Sequence, residues 1–182
     1  DIVVQQDGKI IAVGYRQGGD WAFVSTSVAR FNPDGTLDTT FGADGFAVFP
    51  DQLMDITADA AAIQPDGKIV IVGSHRSGLL EENYFAVARY STDGLLDTSF
   101  GTDGIANTLV EIPNLYEAAA RAVAIRPDGK IVLAGYVRST GTNADVVAVV
   151  IRYEADGSLD TSFGGNGIVT TDLGDSNDIA GV

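Results

Sequence analysis

The stretch "QPDGKIVIVG" (residues 64–73) decides the fold, because it joins a turn signal directly to a strand signal. Asp and Gly in a short link between apolar segments are hairpin chemistry: Asp accepts local backbone hydrogen bonds and Gly adopts positive φ. The run that follows is apolar at every position, rich in β-branched residues and closed by Gly73. That pattern predicts a strand buried on both faces.

The stretch returns as "QQDGKIIAVG" (residues 5–14) and "RPDGKIVLAG" (residues 126–135). Other landmarks keep step with it. Arg30, Arg89 and Arg152 stand in "ARF", "ARY" and "IRY", and Phe41, Phe100 and Phe163 are each followed by Gly. The period is about 60 residues, and the three units account for nearly the whole chain. Each unit reads as four strands. An apolar stub (residues 2–4, 62–64, 123–125) precedes the turn, and the apolar run follows it. A third strand ends in Arg-aromatic, and a fourth ("GFAVF", "GIANTLV", "GIVTT") closes the unit. One segment, "LYEAAARA" (residues 115–122), carries a weak helical pattern.

Four strands in a unit of this length predict an all-β propeller with three blades. They form a single repeat domain over residues 1–182, with blades at approximately 1–59, 60–121 and 122–182. A strand apolar on both faces fits, because inner blade strands lie between neighbouring blades. A β-trefoil, also built of three four-strand units, is the alternative; its units are shorter and hold no such strand. The segments "IQPDGKIVIVG" and "FAVARYSTDGLLDTSFGTDGI" (within residues 63–105) resemble the delta-60 repeat, a bacterial β-propeller family. The resemblance covers all three units. It implies propeller blades in a secreted or cell-surface bacterial protein, and it implies no catalytic residues. The third unit departs from it with Asn166, where the others have Asp44 and Asp103.

Composition narrows the partners. The formal net charge is -14, from 25 acids against 11 bases. Nucleic acid is excluded as an expected partner, since phosphate binding needs clustered Lys and Arg. Cations, basic surfaces and neutral ligands such as glycans fit better. There are no cysteines, so no disulfide or thiolate metal site forms. No run approaches the ~20 apolar residues of a membrane span, so membrane insertion is not expected. The chain starts with Asp1, as a processed product or an excerpt would, and its ends fall in phase with the repeat. Three blades alone make an arc with two apolar flanks. The expectation is closure by a second copy, head-to-tail, into a six-bladed ring, or by further blades of a parent protein.

The longest repeated phrase is "DGTLDTTFGADG" (residues 34–45), with "DGLLDTSFGTDG" (93–104) and "DGSLDTSFGGNG" (156–167). One reading makes it a compact loop. Its Asp side chains cap backbone N–H groups, and Leu37, Leu95, Leu159 and the Phe anchor it in the blade. Arg30, Arg89 and Arg152 would pair bidentately with its carboxylates. Another reading gives Asp34, Asp38, Asp93, Asp97, Asp156 and Asp160 to Ca²⁺, a hard ion that takes oxygen ligands. The EF-hand pattern is absent, which favours the structural loop, and no other cofactor is expected. Lys9, Lys68 and Lys130 are the only lysines, one in each Asp-Gly-Lys turn, and read as structural.

With strands running outward, both repeated turns fall on one face and the links that differ fall on the other. Those links hold Tyr15, Arg16 and Trp21, then His75, Arg76 and Tyr84, then Tyr136 and Arg138. Aromatics beside charged groups suit a protein or glycan ligand, and loops on a rigid scaffold are where function concentrates. Catalysis has a weaker basis. No nucleophile elbow is present, and a carboxylate pair from Asp51, Asp55, Glu81 or Glu117 is uninformative in so acidic a chain. The expected function is a non-catalytic scaffold or binding module, extracellular or at a bacterial cell surface. The alternative is a calcium-stabilised propeller that binds or cleaves glycans.

Overall fold

The three Asp-Gly-Lys turns are built alike. Asp7, Asp66 and Asp128 each accept the N–H of the Lys two residues on, at 3.1, 3.1 and 3.3 Å. Gly8, Gly67 and Gly129 hold φ of 83°, 83° and 84°, which a side chain would resist. Each turn sends the chain back along its own stub, so a hairpin opens every unit. The computed structural model describes residues 1–17, 24–47, 56–76, 83–140 and 146–172.

Eleven strands follow in order. The first sheet holds β1 (Ile2–Val4), β2 (Ile10–Gln17) and β3 (Val24–Phe31), ordered β1-β2-β3. The second holds β4 (Ala60–Ile63), β5 (Ile69–Arg76), β6 (Asn83–Tyr90) and β7 (Ile105–Thr108), ordered β4-β5-β6-β7. The third holds β8 (Leu115–Ile125), β9 (Ile131–Ser139), β10 (Val146–Tyr153) and β11 (Ile168–Asp172), in the same order along the sheet. All pairings are antiparallel between chain neighbours, so each sheet is a meander. In the first unit Phe46 bridges Ala29, and Ala47 donates its N–H to Val28 O at 2.9 Å. Residues 46–47 thus lie where β7 and β11 run in the other sheets.

The sheets stack face to face, and β5 shows why its sequence is apolar throughout. Ile69 and Ile71 pack toward the first sheet with Ile11, Val28 and Phe41. Val70 and Val72 point the other way, onto Ile131, Leu133 and Ile151 of the third sheet. All of these side chains are at most 2% exposed. Burying such a side chain is worth about 1.5–3 kcal/mol, so β5 holds two junctions at once. The innermost strands also meet, with β4 beside both β1 and β8. This is the three-blade propeller arrangement. A trefoil would not give each unit its own meander covered on both faces.

Three expectations change. "LYEAAARA" is strand, not helix: it forms most of β8, paired along β9 with irregularities at Leu115/Glu117 and Ala120/Ala122. Ala118, Ala119 and Ala120 are buried there, so packing between sheets overrides the helical preference of Ala and Glu. The third sheet accordingly takes in residues before the expected blade boundary at 121/122. Finally, Leu95 is 49% exposed, and Leu96 is the anchor that bridges Tyr90, matching Leu37 against Phe31 and Leu159 against Tyr153. Two leucines stand side by side in "DGLLD", and the inward one is the second. Close approach of the neighbouring backbone accounts for the Gly that closes the apolar run in the second and third units. A Cβ on Gly135 would lie 2.0 Å from Ala119 O, and one on Gly73 would lie 2.0 Å from Thr57 O.

Candidate functional site

On the repeated face, the second Asp of each long phrase organises the blade. Asp38 Oδ2 accepts Lys9 Nζ at 2.8 Å and Arg30 Nε at 2.7 Å. Its Oδ1 accepts the Thr40 N–H at 3.2 Å and hydroxyl at 2.6 Å. Asp97 repeats this with Lys68 at 3.0 Å, Arg89 Nε at 2.8 Å and Ser99 N–H and Oγ at 3.1 and 2.6 Å. Asp160 does so with Lys130 at 2.8 Å, Arg152 Nε at 2.5 Å and Ser162 N–H and Oγ at 3.0 and 2.6 Å. The lysine of the first turn and the arginine of the third strand thus meet on one carboxylate. Contact between the two turns also places both repeated links on the same face.

These carboxyls titrate low. The Lys9 ammonium and the Thr40 hydroxyl hold Asp38 well below the usual range, and Lys130 and Ser162 do the same for Asp160. Burial pushes Asp97 upward, but the Ser99 hydroxyl and the Lys68 ammonium together outweigh it. The first Asp of each phrase turns inward on its own loop. Asp34 and Asp156 accept the N–H and hydroxyl of Thr36 and Ser158, and Asp93 accepts the Ser91 hydroxyl. Both carboxylate oxygens of Asp38, Asp97 and Asp160, and Oδ1 of Asp34, Asp93 and Asp156, are thus engaged by Lys, Arg, hydroxyl or N–H groups. Among the described residues, no three His, Asp or Glu side chains group as metal ligands would.

The arginines reach beyond their own blade. Their pairing with Asp runs through Nε alone rather than bidentately, which frees Nη1 for the neighbour. Arg30 Nη1 donates to Thr92 O at 2.6 Å, and Arg89 Nη1 donates to Ala155 O at 2.5 Å. Beside them, Gly42 N–H donates to Asp93 O at 2.6 Å and Gly101 N–H to Asp156 O at 2.8 Å. Arg30 stacks over Phe41 at 4.5 Å and Arg89 over Phe100 at 4.7 Å. The Phe rings in turn lie under Gly94 and Gly157. A Cβ on Gly94 would fall 2.8 Å from Gly42 N and the Phe41 ring, and one on Gly157 would fall 2.9 Å from Gly101 N and the Phe100 ring. Arg, Phe and Gly of one blade thus clasp the Asp-Gly turn of the next.

On the opposite face, side chains at and beside the links that differ between units form a polar cluster on the third blade. Tyr136 donates its hydroxyl to Glu117 at 2.7 Å and accepts Arg121 Nη2 at 3.0 Å. The Arg121 and Arg138 guanidiniums lie 5.4 and 5.7 Å from its ring centre. Arg138 also pairs with Glu117 at 3.4 Å, and Arg121 reaches Asp59 of the second blade at 3.6 Å. Burial raises the Asp59 pKa, and Arg121 opposes that rise. The second blade adds His75 stacked on Tyr84, with ring centres 5.9 Å apart. Asn83 Nδ2 crosses to Tyr116 O at 2.8 Å, and the Tyr116 side chain is 63% exposed.

Of the expected ligand residues, the structure joins Tyr136 to Arg138 and His75 to Tyr84. Tyr15 and Arg16 sit on β2 opposite Thr26 and Ser25, and Arg76 sits on β5 opposite Asn83. Trp21, Asp51, Asp55 and Glu81 lie outside the described residues. Sequence reasoning missed Arg121, whose segment it read as weakly helical, and Tyr116. It also missed two recesses at blade junctions. One, of about 490 Å³, is lined by Thr102, Asn107, Thr108, Tyr153 and Ser158, with Thr108 and Tyr153 hydroxyls 2.7 Å apart. The other, of about 250 Å³, is lined by Gln5, Asp7, Gln64 and Pro65. There the side-chain oxygens of Gln5 and Gln64 accept no hydrogen bond among the described residues. The glutamine before two of the three Asp-Gly-Lys turns was the available signal.

A family model described as "Domain of unknown function (DUF5122) beta-propeller" matches residues 5–41, 64–100 and 126–163. Each match runs from just before the Asp-Gly-Lys turn to the Phe of the clasp. No curated protein and no solved structure matches the chain.

Proposed function

Because the chain belongs to the DUF5122 β-propeller family, with one match in each of its three blades, we propose that it is a binding module whose two faces divide the work. The repeated face is structural, and the face carrying Tyr136 takes the ligand. The observation that carries this reading is the Tyr136 cluster, which gathers two guanidiniums and Glu117 around one aromatic ring; Tyr15 and Arg76 match single members of it, but the full set occurs in the third blade alone. Aromatic faces give stacking area, and carboxylate and guanidinium groups give oriented hydrogen bonds, a combination suited to a glycan. Net charge of -14 argues for a neutral or cationic ligand over an anionic one. Placement outside a bacterial cell belongs to the same proposal, and a chain without cysteine is compatible with it.

A glycan array tests it. The wild-type chain is expected to bind a defined set of neutral glycans, and Tyr136→Ala to weaken that binding at least tenfold while leaving the melting temperature nearly unchanged. An array without signal, or binding indifferent to Tyr136→Ala, would remove the reading.

A further inference from the structure

We propose that the third blade of one chain receives the first blade of a second copy through the same clasp that joins the blades within the chain. The inference concerns a different surface from the ligand face and does not depend on it. At both internal junctions the Arg, Phe and Gly of the earlier blade are filled by the later blade's turn. The third blade repeats the first half of that device. Arg152 lies over Phe163 at 4.6 Å and pairs with Asp160, as its counterparts do. Among the described residues, neither Arg152 Nη1 nor the Gly164 N–H donates to another blade. The Arg152 side chain is 18% exposed against 9% and 7% for Arg30 and Arg89. Phe163 is half-buried, whereas Phe41 and Phe100 are fully buried.

The first blade carries the second half. Its Asp34-Gly35 turn corresponds to Asp93-Gly94 and Asp156-Gly157. Gly35 holds the same φ, 84°, yet a Cβ there meets nothing within 4 Å. The apolar faces match as well. Ile2, Val4 and Phe46 are 66%, 65% and 46% exposed, at positions held in the second blade by Ala61, Ile63 and Ile105. Ala61 and Ile105 are each buried to 6% against the first blade. Val169 of the third blade is 36% exposed, where Ala106 packs against its neighbour. Two unlike faces that fit each other make a heterologous contact, which closes a ring or propagates.

The test uses Val4→Lys and Val169→Lys, both at exposed positions where lysine is tolerated. Each variant is first matched to wild type by circular dichroism; Ile2→Lys replaces Val4→Lys, and Thr171→Lys, exposed on the same strand face, replaces Val169→Lys, where one is not folded. Light scattering should give wild type a mass of at least twice 19.0 kDa and each variant alone 19.0 kDa. Mixing the two variants should restore a dimer, because one retains its third-blade face and the other its first-blade face. A monomeric wild type would overturn the proposal. So would either variant assembling alone, which indicates like-face pairing, or a mixture that stays monomeric.

Discussion

Phe100→Ala should cost about 3–5 kcal/mol, the usual range for emptying a fully buried aromatic site. Phe100 is 0% exposed, carries the Arg89 guanidinium on one side and sits beneath the Gly157 turn on the other. The substitution therefore loosens the junction between the second and third blades as well as the core of the second. In a chain of this size the melting temperature should fall by about 10 °C. Phe163→Ala removes the equivalent ring from a blade without a described neighbour on that side, and should cost less than half as much in the monomer. Calorimetry on the two variants checks both values, and equal losses would mean that the ring stabilises only its own blade.

Asp97→Ala should cost about 3 kcal/mol near neutral pH, because it leaves the Arg89 and Lys68 charges without their shared carboxylate. Replacement of the whole triad by apolar residues would be far milder, since the cost lies in the unpaired charges. The pH dependence follows from the depressed pKa. Asp97 binds protons less readily folded than unfolded, so its contribution is fully present above the ordinary aspartate value and is lost as pH falls through the lower folded value. The gap between wild type and Asp97→Ala should therefore be constant at pH 6–8 and narrow below about pH 4. Urea unfolding at several pH values measures it, and a gap that holds its size in acid would contradict the triad.

Much of this architecture is legible in the sequence because propeller constraints repeat. The apolar run at residues 69–73 announces a strand buried on both faces, and the structure shows one sheet on either side of it. The shared face of the two repeated turns follows from strand order alone. What sequence does not reveal are the contacts between units. Nothing in "FGTDG" says that the Gly101 N–H serves the next blade, or that Arg89 pairs with Asp97 by one nitrogen and keeps another for Ala155. The helical look of "LYEAAARA" misleads because alanine is favoured in helices and is also what fits between closely packed sheets. The polar cluster around Tyr136 is the least legible part. Arg121 and Tyr136 are brought together only by the irregular pairing of β8 with β9, and no local pattern encodes that.

The long repeated phrase has its most direct test at one residue in two settings. Gly94 and Gly35 hold φ of 85° and 84°, so alanine meets the same backbone strain of about 1–2 kcal/mol at each. At Gly94 the new Cβ also meets Gly42 N and the Phe41 ring, while at Gly35 it meets open space. If the phrase is a clasp between blades, Gly94→Ala should lose at least about 2 kcal/mol more than Gly35→Ala, measured by denaturant unfolding of Val4→Lys chains to keep them monomeric. Equal losses at the two positions would show that the phrase only turns the chain within its own blade.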